Sequence, residues 1–285
     1  MLASNFCTTS LILQLLCLLF HATSAAIYSA HFCTNQTFYA SDTKFQSKLN
    51  TFLSSLVSNS SLPSLNGFFR TSVDDIDGRF LYRGDVNATV CHGCVAAAAA
   101  NITRLCPNDT ESYIWYDECM LIYSNNTFDN DDIVPGIPLN DEGSTVNTNH
   151  DHFNQLLSNV LNSLEGKALE SSMGEKKFAV GAVSVTSAQT LYGMAQCEPD
   201  STSGRCAACF GSAISTIPTC CNGSGGARVL LPICSIRYQL YPFLYNSTML
   251  IPSSGMHIIM YIIDYESSPL TQVFLIVLKR FNSVH

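Results

Sequence analysis

Apolar side chains recur with a helical period in two well-separated stretches. Residues 42–58 place Phe45, Leu49, Phe52, Leu53, Leu56 and Val57 on one helix face, with Ser41 or Asp42 available as a cap. Residues 152–165 repeat that face with Phe153, Leu157, Val160, Leu161 and Leu164, at an offset of 108. Each stretch is followed by a short run rich in aromatic and β-branched residues, Gly67 to Val73 and Phe178 to Val185, which reads as a strand. A second helix is expected over 90–105, where Ala96 to Ala100 permit close packing on a sheet, and its counterpart over 204–216. The segments Ser112 to Tyr123 and Arg228 to Phe243 read as strands or hairpins. The order helix, strand, helix, strands thus occurs twice. It predicts an α+β fold with helices on one face of an antiparallel sheet in each copy.

The cysteines sharpen this repeat. Cys91, Cys94, Cys106 and Cys119 recur as Cys206, Cys209, Cys221 and Cys234, every member displaced by 115. Four equal displacements point to domain duplication. At the same offset Tyr82 stands opposite Cys197, so the second copy carries a cysteine that the first lacks. The two offsets differ by seven residues, as expected for loop variation between the first helix and the cysteine motif. The expected organisation is a first domain over 26–130, a linker over 131–149, a second domain over 150–246 and a tail over 247–285. The linker is rich in Asp, Asn, Pro and Gly and has no apolar period. The tail has apolar runs at Met256 to Ile263 and Val273 to Leu278, both shorter than the roughly 20 residues of a membrane helix. No membrane span is expected.

Thirteen cysteines imply an oxidising compartment. Leu11 to Phe20 is apolar apart from Gln14 and precedes the small residues of His21 to Ala25, so residues 1–25 read as a signal peptide, although Lys and Arg are absent ahead of the run. Its removal leaves eleven cysteines, an odd number. Asn35, Asn59, Asn87, Asn101, Asn108, Asn125, Asn222 and Asn246 begin glycosylation sequons, expected at the surface of an exported chain. Charged residues make up 13% and the net charge is −8, with no basic cluster, which argues against nucleic acid as a partner. Cys91-His92-Gly93-Cys94 could hold zinc, but its repeat partner Cys206-Ala207-Ala208-Cys209 has no histidine, so disulfides are the better reading. His150-Asp151-His152 reads as a solvated helix start and Asp74 to Gly78 as a turn, not as metal sites. No nucleophile elbow, phosphate loop or kinase motif occurs, so neither cofactor nor catalysis is expected.

Cys197-x8-Cys206-x2-Cys209-x11-Cys221-x12-Cys234 resembles the ginkbilobin-homologous, or stress-antifungal, domain of land plants. The sequences Leu191 to Cys197, Gly226 to Val229 and Arg237-Tyr238 are similar to the second such domain of cysteine-rich repeat secretory proteins and receptor-like kinases; Trp115 to Leu121 is similar to the first. The likeness covers about residues 28–245. It implies two helices on a five-stranded antiparallel sheet in each copy. It also implies the pairs Cys33–Cys106, Cys94–Cys119, Cys197–Cys206 and Cys209–Cys234, and leaves Cys91, Cys220 and Cys221 unassigned. Cys220 and Cys221 could form a vicinal bond; Cys91 is the first candidate for a leftover thiol, free or in a disulfide-linked dimer. Some family members bind mannose through an Asn, an Arg and a Glu near the first and last cysteines. The first copy has Thr34, Tyr113 and Ser124 there; the second keeps Arg228 and has Gln239 for the Glu. Arg228 and Gln239 are therefore the ligand-binding candidates, with weak or absent mannose binding expected. The functional expectation is a non-catalytic module secreted to the apoplast, recognising a cell-wall carbohydrate or partner protein in plant defence or signalling. The alternatives are a truncated ectodomain of a cysteine-rich receptor-like kinase and an antifungal mannose-binding lectin.

Overall fold

A computed structural model describes residues 26–34, 43–62, 66–125, 135–141, 143, 145–245 and 259–261. The signal-peptide segment, the Asn35 and Asn246 sequons and nearly all of the tail lie outside the described residues. The first repeat runs β1 (Tyr28–Cys33), α1 (Thr43–Asn59), β2 (Phe68–Val73), β3 (Ile76–Tyr82), α2 (Ala88–Leu105), β4 (Glu111–Tyr116) and β5 (Cys119–Ser124). The second runs β6 (Ile137–Asn140), α3 (His150–Leu169), β7 (Lys177–Ser184), β8 (Thr190–Cys197), α4 (Ser203–Cys220), β9 (Gly226–Leu230) and β10 (Cys234–Gln239).

The antiparallel sheets have one topology. The first has the order β1-β4-β5-β3-β2, and the second places the corresponding strands as β6-β9-β10-β8-β7. A short strand β11 (Ile259–Tyr261) from the tail adds to the free edge of β7. In each repeat both helices cover one face of the sheet. Phe45, Leu49, Phe52 and Leu56 of α1 pack with Val95, Ala98 and Ile102 of α2 over Ile114, Leu121 and Tyr123. Phe153, Leu157, Val160 and Leu164 of α3 do the same with Phe210, Ala213 and Ile217 over Val229, Ile236 and Tyr238. The helical face read from the sequence is therefore the buried face, and its burial removes apolar surface from water. Gly78 and Gly193, 115 residues apart, lie where a side chain of the first helix of each repeat meets the sheet. A side chain at Gly78 would run into Phe52 and the Ile122 carbonyl, and one at Gly193 would lie 2.8 Å from Leu164.

Residues 131–149 are more than a linker, because they contain β6, the edge strand of the second sheet. Ile137 and Leu139 are half-buried while Pro138 and Asn140 are exposed, an alternation of four residues that is too short to stand out as a period. Pro138 fits there because an edge strand has one neighbour, here β9, and does not need every amide. The turn expected over 74–78 is tighter, with Asp74 in the left-handed region (φ 55°) and β3 already under way at Ile76. Helix α4 continues past residue 216 through Pro218 to Cys220.

Candidate functional site

Side chains in a strand alternate between faces. The helix-covered faces of the two repeats keep matching residues: Ile114 with Val229, Leu121 with Ile236, Tyr123 with Tyr238. Even the tyrosine bonds recur, since the Tyr123 hydroxyl donates to the Asp109 carbonyl (3.0 Å) and the Tyr238 hydroxyl to the Ser224 carbonyl (3.3 Å). Burial pushes the Tyr123 phenol up to about 12. The opposite faces have diverged: Tyr113 stands against Arg228, Trp115 against Leu230, Ile122 against Arg237.

These diverged faces meet. Leu81, Tyr113, Trp115, Met120 and Ile122 of the first sheet form one apolar cluster with Leu230 of the second, flanked by Ile137 and Leu139. Beside it runs a band of charge. Arg79 of β3 pairs with Glu198, both buried. Arg83 is bidentate to Asp85 at 2.6 and 3.1 Å. Asp117, in the β4–β5 turn, receives Arg237 at 2.8 and 3.0 Å and also Arg228, with Arg83 at 3.7 Å. Burial alone would push the Asp117 carboxyl up, but Arg237, Arg228 and Arg83 together hold it below the ordinary carboxylate value. Burial pushes the Arg237 guanidinium down against the pull of Asp117. Neutral bonds complete the seam. The Gln196 amide donates to the Tyr82 carbonyl at 2.9 Å and accepts from the Gly84 amide at 3.3 Å, and Lys176 donates to the Gly84 carbonyl at 3.1 Å. Phe243 lies under the Arg237 guanidinium, and Tyr245 under that of Arg83. Between the sheets remains a cavity of about 50 Å³, lined by Arg83, Trp115, Asp117, Gln196, Arg228 and Arg237 among others. It has room for a few waters and is far smaller than a ligand pocket.

The two ligand candidates lie at this seam. Arg228 donates to Asp117 and, at 2.9 Å, to the Ser29 hydroxyl. Gln239 is buried, accepts from Arg237 at 3.2 and 2.7 Å, and donates to Asp141 at 3.4 Å. They share a neighbourhood, and each is bonded within the chain. Reading from the sequence missed Asp117, Glu118, Arg79, Arg83, Glu198 and Arg237. Comparing the repeats would have marked several, because Arg83 aligns with Glu198 and Asp117 with Pro232 at the 115 offset.

The disulfides join Cys33 to Cys106, Cys94 to Cys119, Cys197 to Cys206, Cys209 to Cys234, and Cys220 to Cys221. Cys91 is free and enclosed in the first core, where burial pushes its thiol well up. A thiol so placed can neither meet another chain nor ionise readily, so the folded first repeat does not offer Cys91 to the disulfide-linked dimer expected as one of its fates. Among the described residues, His31, Cys33 and Cys106 are the one group whose potential ligand atoms lie close enough for a metal, and the two sulfurs are already bonded to each other. Of the sequons, Asn87 and Asn222 are exposed; Asn59, Asn101, Asn108 and Asn125 are partly covered. No helix among the described residues is long and apolar enough to cross a membrane.

A family description, salt stress response/antifungal, matches residues 32–126 and 140–241. Cysteine-rich receptor-like protein kinase 25 of Arabidopsis thaliana is 38% identical over 233 residues, which is 80% of this chain and 34% of that protein. The chain thus spans about a third of the length of that relative. An antimicrobial ginkbilobin-2-like protein of Castanea crenata is 35% identical over 251 residues, covering 85% of this chain and 99% of the relative. Among solved structures, the tandem DUF26 ectodomain of an Arabidopsis thaliana cysteine-rich receptor-like protein superposes with a TM-score of 0.62 at 25% identity, over 76% of this chain and 99% of that one. With both repeats matched and the same tandem fold, the chain belongs to the salt stress response/antifungal family.

Proposed function

We propose that the chain is a secreted, non-catalytic recognition module of the plant apoplast that presents its two repeats as one rigid body to a cell-wall carbohydrate or a partner protein in defence or signalling. The observation that carries this reading is the seam, in which apolar residues, buried ion pairs and neutral bonds join the sheets back to back. Recognition then falls to the outer surfaces: the helices, the sheet edges and the loops. Arg228 and Gln239 support this body more than they support a sugar, since mannose would have to compete with Asp117 and Arg237 for them. That weighs against the mannose-binding lectin. The stand-alone form is supported by the match along 99% of the chestnut relative, and the receptor alternative by the kinase relatives. Glycan and cell-wall polysaccharide arrays probed with the mature protein test the reading, with apoplastic proteins cross-linked in parallel. Binding to a wall glycan or capture of a defined extracellular partner is expected. Failure to bind any wall glycan together with failure to capture any extracellular partner would overturn it.

A further inference from the structure

Glu118 stands at the β4–β5 turn with only 2% of its surface exposed. One carboxylate oxygen accepts from the Ile27 amide at 3.1 Å and the other from the Tyr245 hydroxyl at 3.2 Å. Both donors are neutral. Among the described residues no ammonium or guanidinium bonds this carboxylate, because Arg83 is turned to Asp85, and Arg228 and Arg237 to Asp117. A buried carboxylate without a cation is costly. Its donors come from the two ends of the tandem body, Ile27 ahead of β1 and Tyr245 beyond β10. The Ile27 carbonyl also accepts from the Asp117 amide at 2.7 Å, which fixes the chain entry against the turn. Ala26 packs, half-buried, on the first core, so its nitrogen is one residue removed from the amide that Glu118 holds.

We propose that removal of residues 1–25 supplies the missing cation, making the mature N-terminus the third arm of a clasp on Glu118. This rests on the secretion reading above. A signal peptidase and one water hydrolyse the Ala25–Ala26 bond. The carboxylate departs with the leader, and the freed amine of Ala26 takes a proton to become an ammonium beside Glu118. The ammonium then ties the chain entry, the β4–β5 turn and the end of the second repeat together, so processing tightens the body it releases.

The other charged and titratable groups facing this point are Asp117 on the same turn, Arg83 and Asp85 beyond β3, Arg228 and Arg237 from the second sheet, Tyr116 of β4, Tyr28 and His31 of β1, and Tyr245 itself. All are common to the proteins compared in the test, so their titrations cancel. An α-amine has an ordinary value of about 7.7–8.0, and pairing with Glu118 raises it in the folded state. The clasp is therefore complete below about pH 7.7 and is lost as pH rises through the raised folded value.

The test compares three mature proteins: one beginning at Ala26 with a free amine, one N-acetylated selectively under mildly acidic conditions, and one carrying a Gly-Ser extension. At about pH 6.5 the free-amine protein should melt at least about 2 °C above the other two, and the gap should close by about pH 9.5. In a Glu118→Gln background no gap should appear. Should that variant fail to fold, acylation of the Ala26 amine against pH gives the same answer from the unsubstituted protein, with the reaction midpoint shifted above that of a free peptide. Equal melting of all three proteins at the lower pH, or an unshifted midpoint, would overturn the clasp. N-terminal sequencing of naturally secreted chain separately decides where cleavage falls, so a failed clasp and a failed secretion reading give different results.

Discussion

Arg79 of β3 and Glu198, just beyond β8, lie 119 residues apart in sequence and form an ion pair enclosed between the two repeats. Their side chains are 1% and 5% exposed. Taking two charges out of water is costly, so breaking the pair by removing one member costs about 3–5 kcal/mol. Glu198→Ala and Arg79→Ala in the whole chain should each lower the unfolding free energy by that order, and the denaturation midpoint with it. Arg79→Met with Glu198→Leu should recover most of the loss. Chemical denaturation followed by tryptophan fluorescence reads this directly, since Trp115 sits at the same seam. Singles that cost nothing would mean that the seam opens readily.

Asp117 predicts an acid limit. Despite its burial, Arg237, Arg228 and Arg83 hold its carboxyl below the ordinary value. The pairing contributes stability above the unfolded value of about 3.9 and loses it as pH falls through the lower folded value. Melting temperature should decline below about pH 4. Asp117→Asn should be less stable at neutral pH and show a flatter acid limb in calorimetric scans. Equally steep limbs would place the acid sensitivity elsewhere.

Cys91 should give one titratable thiol per mature chain once unfolded, and none in the native state. Tyr82→Cys should remove that thiol, because it recreates the Cys197–Cys206 arrangement, where the Cα atoms are 5.9 Å apart. The new bond adds about 2–3 kcal/mol, but the buried ring that it replaces is worth a similar amount. Thiol titration should therefore change by one while the melting temperature moves little. A variant that still titrates Cys91 would show that the repeats differ in backbone as well as in side chain.

Glycan occupancy should be high at Asn87 and Asn222, whose side chains are exposed, and low at Asn125, whose side-chain oxygen is enclosed without a partner. Asn87 caps α2 through that oxygen, accepting from the Val90 amide at 2.9 Å. A glycan on the nitrogen leaves the cap intact. Glycopeptide mass spectrometry of protein secreted from plant cells measures all three sites.

The first helix of each repeat was legible from its periodic apolar face, and the second from the small residues Ala96 to Ala100 and from the repeat itself. Gly67 to Val73 was legible for its aromatic and β-branched content. Strand β6 was hidden by its four-residue length, by Pro138 and by a loop-like setting. The charged seam was illegible for a different reason. Asp117 and Arg237 are ordinary surface residues when read singly, and the partner that buries each lies in the other repeat, more than a hundred positions away. Only the mismatch between equivalent positions, as where Ile122 aligns with Arg237 at the 115 offset, carries the signal that one copy has been fitted to the other.

That fit removes the interchangeability of the copies. Across the joint the first repeat contributes Asp117 and Arg79, while the second contributes Arg228 and Arg237 for the one and Glu198 for the other. Two second repeats placed back to back would bring four arginines together with no Asp117 between them. Two first repeats would offer Asp117 on both sides with neither Arg228 nor Arg237 to receive it. The sequence therefore encodes a heterodimer within a single chain. Duplication supplied a symmetric scaffold, and charge then assigned each half a fixed partner and a fixed position in the order, so a chain with its repeats exchanged or doubled should lose the joint even though every repeat in it could still form its own core.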